Sequence, residues 1–133
     1  MQSITREELQ RAMNRREVVL VDVLSVEQFR KSHLPGAINI PADRIAELAP
    51  QLLPDRSARI VTYCLNFTGR VSDQVARSLI DMGYRNVRNY DEGKQDWMNA
   101  GLPLEGEAPN EPIVGFRPSA TELEARQKLR AAS

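Results

Sequence analysis

The sequence predicts an α/β fold of three layers, a central, mostly parallel sheet with helices on both faces. Residues 18–23 and 60–63 are short runs of Val, Leu, Ile and Tyr with little polar alternation, the pattern of strands buried on both faces. Between and after them, apolar residues recur at helical spacing, so strands and helices take turns along the chain. A length of 133 residues is enough to bury one such core and not comfortably two.

Taken in order, Thr5 caps a first helix and Glu8, three residues on, completes a capping box, with Leu9 and Met13 on one face and an end before Glu17. Residues 18–23 form a strand that carries Asp22 at its exit. Ser25 caps a short helix containing Glu27, Phe29 and Arg30, which stops before His33-Leu34-Pro35-Gly36. Ala37-Ile38-Asn39-Ile40 is a second strand, ended by Pro41. Residues 43–53 place Ile45, Leu48 and Leu52 on a helical stripe that Pro54-Asp55 breaks. Residues 60–63 are the third strand, and residues 70–82 an amphipathic helix with Val71, Val75, Leu79 and Met82 on its stripe and Gly83 as its C-terminal cap. Residues 86–90 make a fourth strand, after which Asp91 caps a helix running through Trp97 to Gly101. From Pro103 the chain turns rich in acids and breakers and reads as a linker or surface strap. Ser119 with Glu122 is a further capping-box pattern for a weak helix carrying Leu123, Arg126 and Leu129. The expected division is a domain over 1–104 and a linker with a short helical tail over 105–133.

Composition narrows the function. Eighteen basic and eighteen acidic residues cancel and are mixed along the chain, so there is no basic field to hold nucleic acid or anionic lipid. The first residues are polar and lack the apolar core of a secretory signal, and no stretch approaches membrane-spanning length, which makes the cytoplasm the expected compartment. One cysteine cannot make an internal disulfide, and with one histidine it cannot build a usual zinc site. No metal or cofactor is called for.

That cysteine, Cys64, closes the run 60–63 and is followed by Leu65, Asn66, Phe67, Thr68, Gly69 and Arg70 before the helical stripe begins. It is a thiol at the end of a strand, with a loop delivering the chain into a helix. The first N–H groups of a helix have no intrahelical partners and carry partial positive charge, so a thiolate or anion in front of them is stabilised. Parallel sheets place their sites beyond the carboxyl ends of the strands, where Cys64 and Asp22 both lie. A cysteine serving only the core would sit more naturally inside the apolar run than at its border with a polar loop.

Several separated motifs now stand in sequence: Val21-Asp22-Val23, Glu27-x-Phe29, His33-Leu34-Pro35-Gly36-Ala37-Ile38-Asn39-Ile40-Pro41, Tyr63-Cys64, Gly83-Tyr84, Glu92-Gly93, Trp97 and Gly101-x-Pro103. In that order and at those intervals the chain resembles the single-domain rhodaneses, a sulfurtransferase family, over about residues 4–104. The resemblance implies a rhodanese-like fold in which Cys64 takes a sulfane sulfur from thiosulfate or a persulfide donor and passes it to cyanide or a thiol. Leu24 stands where many members carry Arg, and Glu92-Gly93 where many carry Gly-Gly. The Cys64–Arg70 loop is longer than the common form and also looks like the Cys-x5-Arg loop of phosphatases and arsenate reductases built on this fold. A phosphatase needs an acid to protonate the departing oxygen. No Asp or Glu lies between Cys64 and Arg70, and Tyr63 stands where those phosphatases carry His. Sulfur transfer is therefore favoured, with a Cys-x5-Arg phosphatase or arsenate reductase on the same fold and a noncatalytic sulfur-carrier or protein-binding module as alternatives. With no second cysteine near Gly69, the persulfide cannot be resolved as an internal disulfide.

The expected site is Cys64 as nucleophile, with the backbone of Leu65, Asn66, Phe67, Thr68, Gly69 and Arg70 curved around its sulfur. Arg70 places a fixed charge beside an incoming dianion. Gly69 relaxes the loop where backbone must approach that anion. Thr68 donates a hydroxyl or caps the helix, and Phe67 walls the pocket or packs down. Asp22 and His33 are structural groups near the site, Asp22 accepting backbone hydrogen bonds and His33 holding a fixed ring. Trp97 is packing. The expected partners are a small anionic sulfur donor and a thiol or protein acceptor, with the chain a monomer or weak homodimer.

Overall fold

The computed structural model describes residues 2–66 and 70–111. In chain order the elements are β1 (Gln2–Ser3), α1 (Arg6–Asn14), β2 (Val19–Asp22), α2 (Val26–Lys31), β3 (Ile38–Asn39), a 3-10 turn (Ala42–Arg44), α3 (Ile45–Leu52), β4 (Arg59–Tyr63), α4 (Val71–Asp81), β5 (Asn86–Tyr90) and α5 (Gly93–Asn99). The five strands form one sheet in the order β1-β5-β4-β2-β3, and every pairing is parallel. The longer crossovers are helical, as parallel neighbours require. The expected capping box of Thr5 with Glu8 is made at α1, and Ser25 caps α2 as expected, with Gln28 completing a box there. β1 has too little apolar character to show in the sequence. The tail helix expected around 119–129 lies outside the described residues.

Side chains alternate between two cores, one on each face of the sheet. Val21, Ile60, Val87 and Cys64 pack with Ile45, Ala49, Leu53, Val75, Ala76 and Leu79 of the α3–α4 layer. Leu20, Val61, Tyr63 and Tyr90 pack with Leu9, Leu34 and Trp97 on the other side. The expected helical stripes shift by one position in two places. In α3 the buried line is Ile45, Ala49, Leu53, and Leu52 is exposed, because the chain leaves the helix at Leu53 and tucks that side chain beneath Tyr84. In α4 the buried face starts at Ser72 and continues through Val75, Ala76 and Leu79, while Val71 is exposed. Gly83 ends α4 with φ at +99°, the left-handed conformation expected of it.

Asp91 does not cap α5. It accepts a hydrogen bond from Asn89 Nδ2 at 2.6 Å, and Glu92 takes the N-cap position without a capping side chain. The segment after α5 folds back on the domain. Glu105 and His33 exchange backbone hydrogen bonds of 2.9 Å, and the amides of Glu107 and Ala108 bond the carbonyls of Arg30 and Lys31 at the end of α2. Among the described residues no helix is long and apolar enough to cross a membrane.

Tyr84 joins α3 to the α4–β5 connection. Its buried hydroxyl lies 2.6 Å from the carbonyl of Leu53 and 3.0 Å from that of Ala49. Tyr84→Phe takes this donor from the Leu53 carbonyl, while that of Ala49 keeps the Leu53 amide, and is expected to cost about 1–3 kcal/mol in urea unfolding with an unchanged m-value.

Candidate active site

The alternation along β4 decides where the chemistry sits. Val61 and Tyr63 face the core shared with Trp97, so Ile60, Thr62 and Cys64 face α4. Cys64 is 4% exposed, enclosed at the carboxyl edge of the sheet. Its thiol donates toward the carbonyl of Asn66 at 3.4 Å, and the buried hydroxyl of Ser72, in the first turn of α4, donates to the sulfur at 3.3 Å. That turn is anchored from below. Thr62 Oγ1 lies 3.1 Å from the carbonyl of Ser72 and 2.9 Å from Oδ1 of its cross-strand neighbour Asn89.

The start of the cysteine loop is held by α5. The amides of Lys94 and Gln95 donate to the carbonyls of Cys64 and Leu65, both at 2.9 Å. These are first-turn donors with no intrahelical acceptor, and the carbonyls they meet have left the sheet. Gly93 makes the approach possible. Its φ is +70°, and a Cβ there would come within 2.6 Å of the Cys64 carbonyl oxygen. Gln95 also accepts from Asn66 Nδ2 through its side chain, at 3.4 Å.

Beneath α5, on the sheet face opposite Cys64, lies a buried polar network. Asp22 is fully buried; its Oδ1 accepts from the amide of Leu24 at 2.9 Å and its Oδ2 from the hydroxyl of Tyr63 at 2.8 Å. Tyr63 in turn accepts from the amide of Leu34 at 3.0 Å. Burial raises the Asp22 carboxyl above its ordinary value, against the opposing pull of these donors and of the Lys94 and His33 charges. Burial likewise pushes the Tyr63 phenol well up, with the Asp22 charge adding to it. Lys94 is 2% exposed and aims its ammonium at the carbonyls of Ser32, at 3.0 Å, and Gln28, at 3.5 Å, at the C-terminal end of α2. Burial lowers its affinity for the proton, and Asp22 partly restores it.

His33 stacks on Phe29 with ring centroids 3.9 Å apart and donates from Nδ1 to the Phe29 carbonyl at 2.7 Å, the fixed ring expected of it. Trp97 is buried and donates Nε1–H to the Pro103 carbonyl at 2.8 Å. Arg70 is exposed at the N-cap of α4. Phe67, Thr68 and Gly69 lie outside the described residues. Three groups to which the sequence reading gave no part in the site matter here: Ser72, Gly93 and Lys94. Ser72 had a signal, a polar residue three before Val75 and seven before Leu79 on the core-facing stripe. A groove of about 210 Å³ lined by Ile4, Val18, Ile60, Arg11, Arg59 and Arg88 lies at the other end of β4 and includes none of these residues.

Comparison with known proteins decides the family, because a model described as a rhodanese-like domain matches residues 5–100. The chain belongs to the rhodanese-like domain family. It is 40% identical over 107 residues to an HTH-type transcriptional regulator, Rv0324, of Mycobacterium tuberculosis, covering 80% of this chain and 46% of that protein. It is 38% identical over 69 residues to the thiosulfate sulfurtransferase PspE of Escherichia coli, covering 52% of this chain and 64% of that one. The chain thus spans less than two thirds of either relative's length. The crystal structure of the BH2092 protein from Bacillus halodurans superposes with a TM-score of 0.80 at 21% identity, covering 92% of this chain and 89% of that one, and so shares the fold. The rhodanese-like family supports sulfurtransferase-type chemistry in general.

The Asp22 network makes a pH prediction with a definite sign. A folded-state value above the unfolded one means that the folded protein binds this proton more tightly, so Asp22 adds stability as pH falls from neutral through its folded value. That gain is complete below the ordinary 3.8. Asp22→Asn removes it. Urea unfolding of both proteins is expected to show wild type gaining on Asp22→Asn as the buffer is taken from neutral to mildly acid.

Proposed function

We propose that this rhodanese-like domain is a sulfurtransferase in which Cys64 receives a sulfane sulfur as a persulfide and hands it to a thiophilic acceptor. With thiosulfate as donor, the Cys64 thiolate attacks the outer sulfur, a new S–S bond forms, the old one breaks, and sulfite leaves with the electron pair. In discharge, an acceptor thiolate or cyanide attacks the same outer sulfur and the Cys64 thiolate departs. Neither step needs a general acid, because sulfite and thiolate are stable leaving groups. The observation that carries this reading is the setting of the sulfur. It stands at the carboxyl end of a central strand and receives a hydroxyl donor, and the loop that starts beside it is tied to α5 by two amides. In this reading Arg70 supplies the fixed charge that meets the anionic donor.

Enclosure of Cys64 favours a second reading, that of a carrier that is loaded and unloaded by a partner protein and turns over slowly with free donors. The two part company in one assay. Incubation of the reduced protein with thiosulfate is expected to add the mass of one sulfur that cyanide removes, and Cys64→Ser to abolish both the adduct and turnover. An adduct without multiple turnover supports the carrier. Release of phosphate from an aryl phosphate with no sulfur adduct overturns both. Arg70→Ala is expected to raise KM for thiosulfate about tenfold while leaving the melting temperature unchanged, since the side chain is exposed and its role is to pair with an anion.

A further inference from the structure

Ser72 occupies a position that the helical pattern reserves for an apolar side chain. It is 1% exposed and opens the buried face of α4 ahead of Val75, Ala76 and Leu79. A hydroxyl placed there must be hydrogen-bonded to be tolerated. Its bond goes to the Cys64 sulfur at 3.3 Å. The placement is set from the sheet, because the Ser72 carbonyl is fixed by Thr62 Oγ1, Thr62 faces Asn89 across β4 and β5, and Asn89 is oriented by its Nδ2–H to Asp91. The polar chain Asp91–Asn89–Thr62 therefore positions the first turn of α4, and with it one hydroxyl at the reacting sulfur.

We propose that Ser72 is a catalytic hydrogen-bond donor that acts chiefly on the discharge half-reaction, a role that presupposes the sulfurtransferase reading above. In the loaded enzyme the inner sulfur is an uncharged divalent atom and a poor acceptor. When an acceptor thiolate attacks the outer sulfur, its S–S bond forms, the Sγ–S bond breaks, and the electron pair returns to Cys64. In the form R–S⁻ plus Cys64–S–SH giving R–S–SH plus Cys64–S⁻, atoms and charge balance with no outside oxidant or reductant. Negative charge develops on Sγ in that transition state, where the Ser72 O–H already points. The bond strengthens as the charge grows, which is the condition for lowering a barrier. Loading runs the other way. There the same bond stabilises the attacking thiolate in the ground state and is weakened as its charge leaves, so removing it does not slow attack by a sulfur that is already ionised.

The test is to load wild type, Ser72→Ala and Ser72→Thr with thiosulfate or a small organic persulfide, remove the donor, and follow loss of the sulfur adduct by mass after mixing with excess cyanide or a small thiol. Loading is timed separately, at a pH where the sulfur is ionised in all three proteins, and thermal melts confirm folding. Ser72→Ala is expected to discharge about tenfold more slowly, to load at least as fast as wild type, and to accumulate persulfide at steady state. Ser72→Thr, which keeps the hydroxyl, is expected to restore discharge. Unchanged discharge in Ser72→Ala, or loading and discharge slowed by the same factor, overturns the role given to Ser72. Failure of wild type to gain any sulfur overturns the sulfurtransferase reading and this role with it.

Discussion

Two hydrogen bonds at the top of the sheet govern how the rest of the site is arranged. Where β4 ends, the carbonyls of Cys64 and Leu65 lose their sheet partners, and the amides of Lys94 and Gln95 at the start of α5 take them over. Each side solves the other's problem, since the first amides of a helix and the last carbonyls of a strand both need an external partner when buried. The geometry allows this only if the helix can begin against the strand's exit with no side chain in the way. Gly93 meets that condition, and residues with a Cβ do not. With the carbonyls fixed, the Cys64 side chain is committed to the α4 face, where Ser72 is waiting.

The charged groups under α5 serve the same end from the opposite face. Lys94 lends its backbone to Cys64 and its ammonium to the end of α2, so one residue couples the cysteine loop to a helix distant in sequence. An ammonium at a helix C-terminus is well placed against the partial negative charge there. Asp22, a short way off, is held by Leu24 and Tyr63 and lessens the cost of keeping Lys94 charged. Asp22 and Tyr63 lie on the sheet face opposite the sulfur and order the backbone at Leu24 and Leu34.

Much of the fold was legible because parallel strands advertise themselves. Residues 18–23 and 60–63 are largely apolar runs, and a capping box at Thr5 and a cap at Ser25 mark helix starts by local chemistry alone, so these elements stand where the sequence places them. Cys64 was legible because a thiol at the border of such a run is out of place in a plain core. The errors share a cause: they depend on contacts distant in sequence. Leu52 and Leu53 are equivalent by hydropathy, and only the position of Tyr84 chooses between them. Asp91 has the chemistry of a cap, but Asn89 claims its carboxylate first. Lys94 reads as a surface lysine because nothing local reveals that α2 ends where its ammonium can reach.

The dependence of Cys64 on Lys94 and Gln95 also sets an order of events at the ribosome. A chain emerging from the exit tunnel presents its thiol early, while the segment that will restrain the neighbouring carbonyls is still unsynthesised. Until β5 has paired and the turn at Gly93 has closed, the newborn thiol is an ordinary exposed one, open to oxidants and to any passing electrophile. The enclosure that shields this atom is thus acquired late in biogenesis, in step with the pairing of β5 and the turn at Gly93.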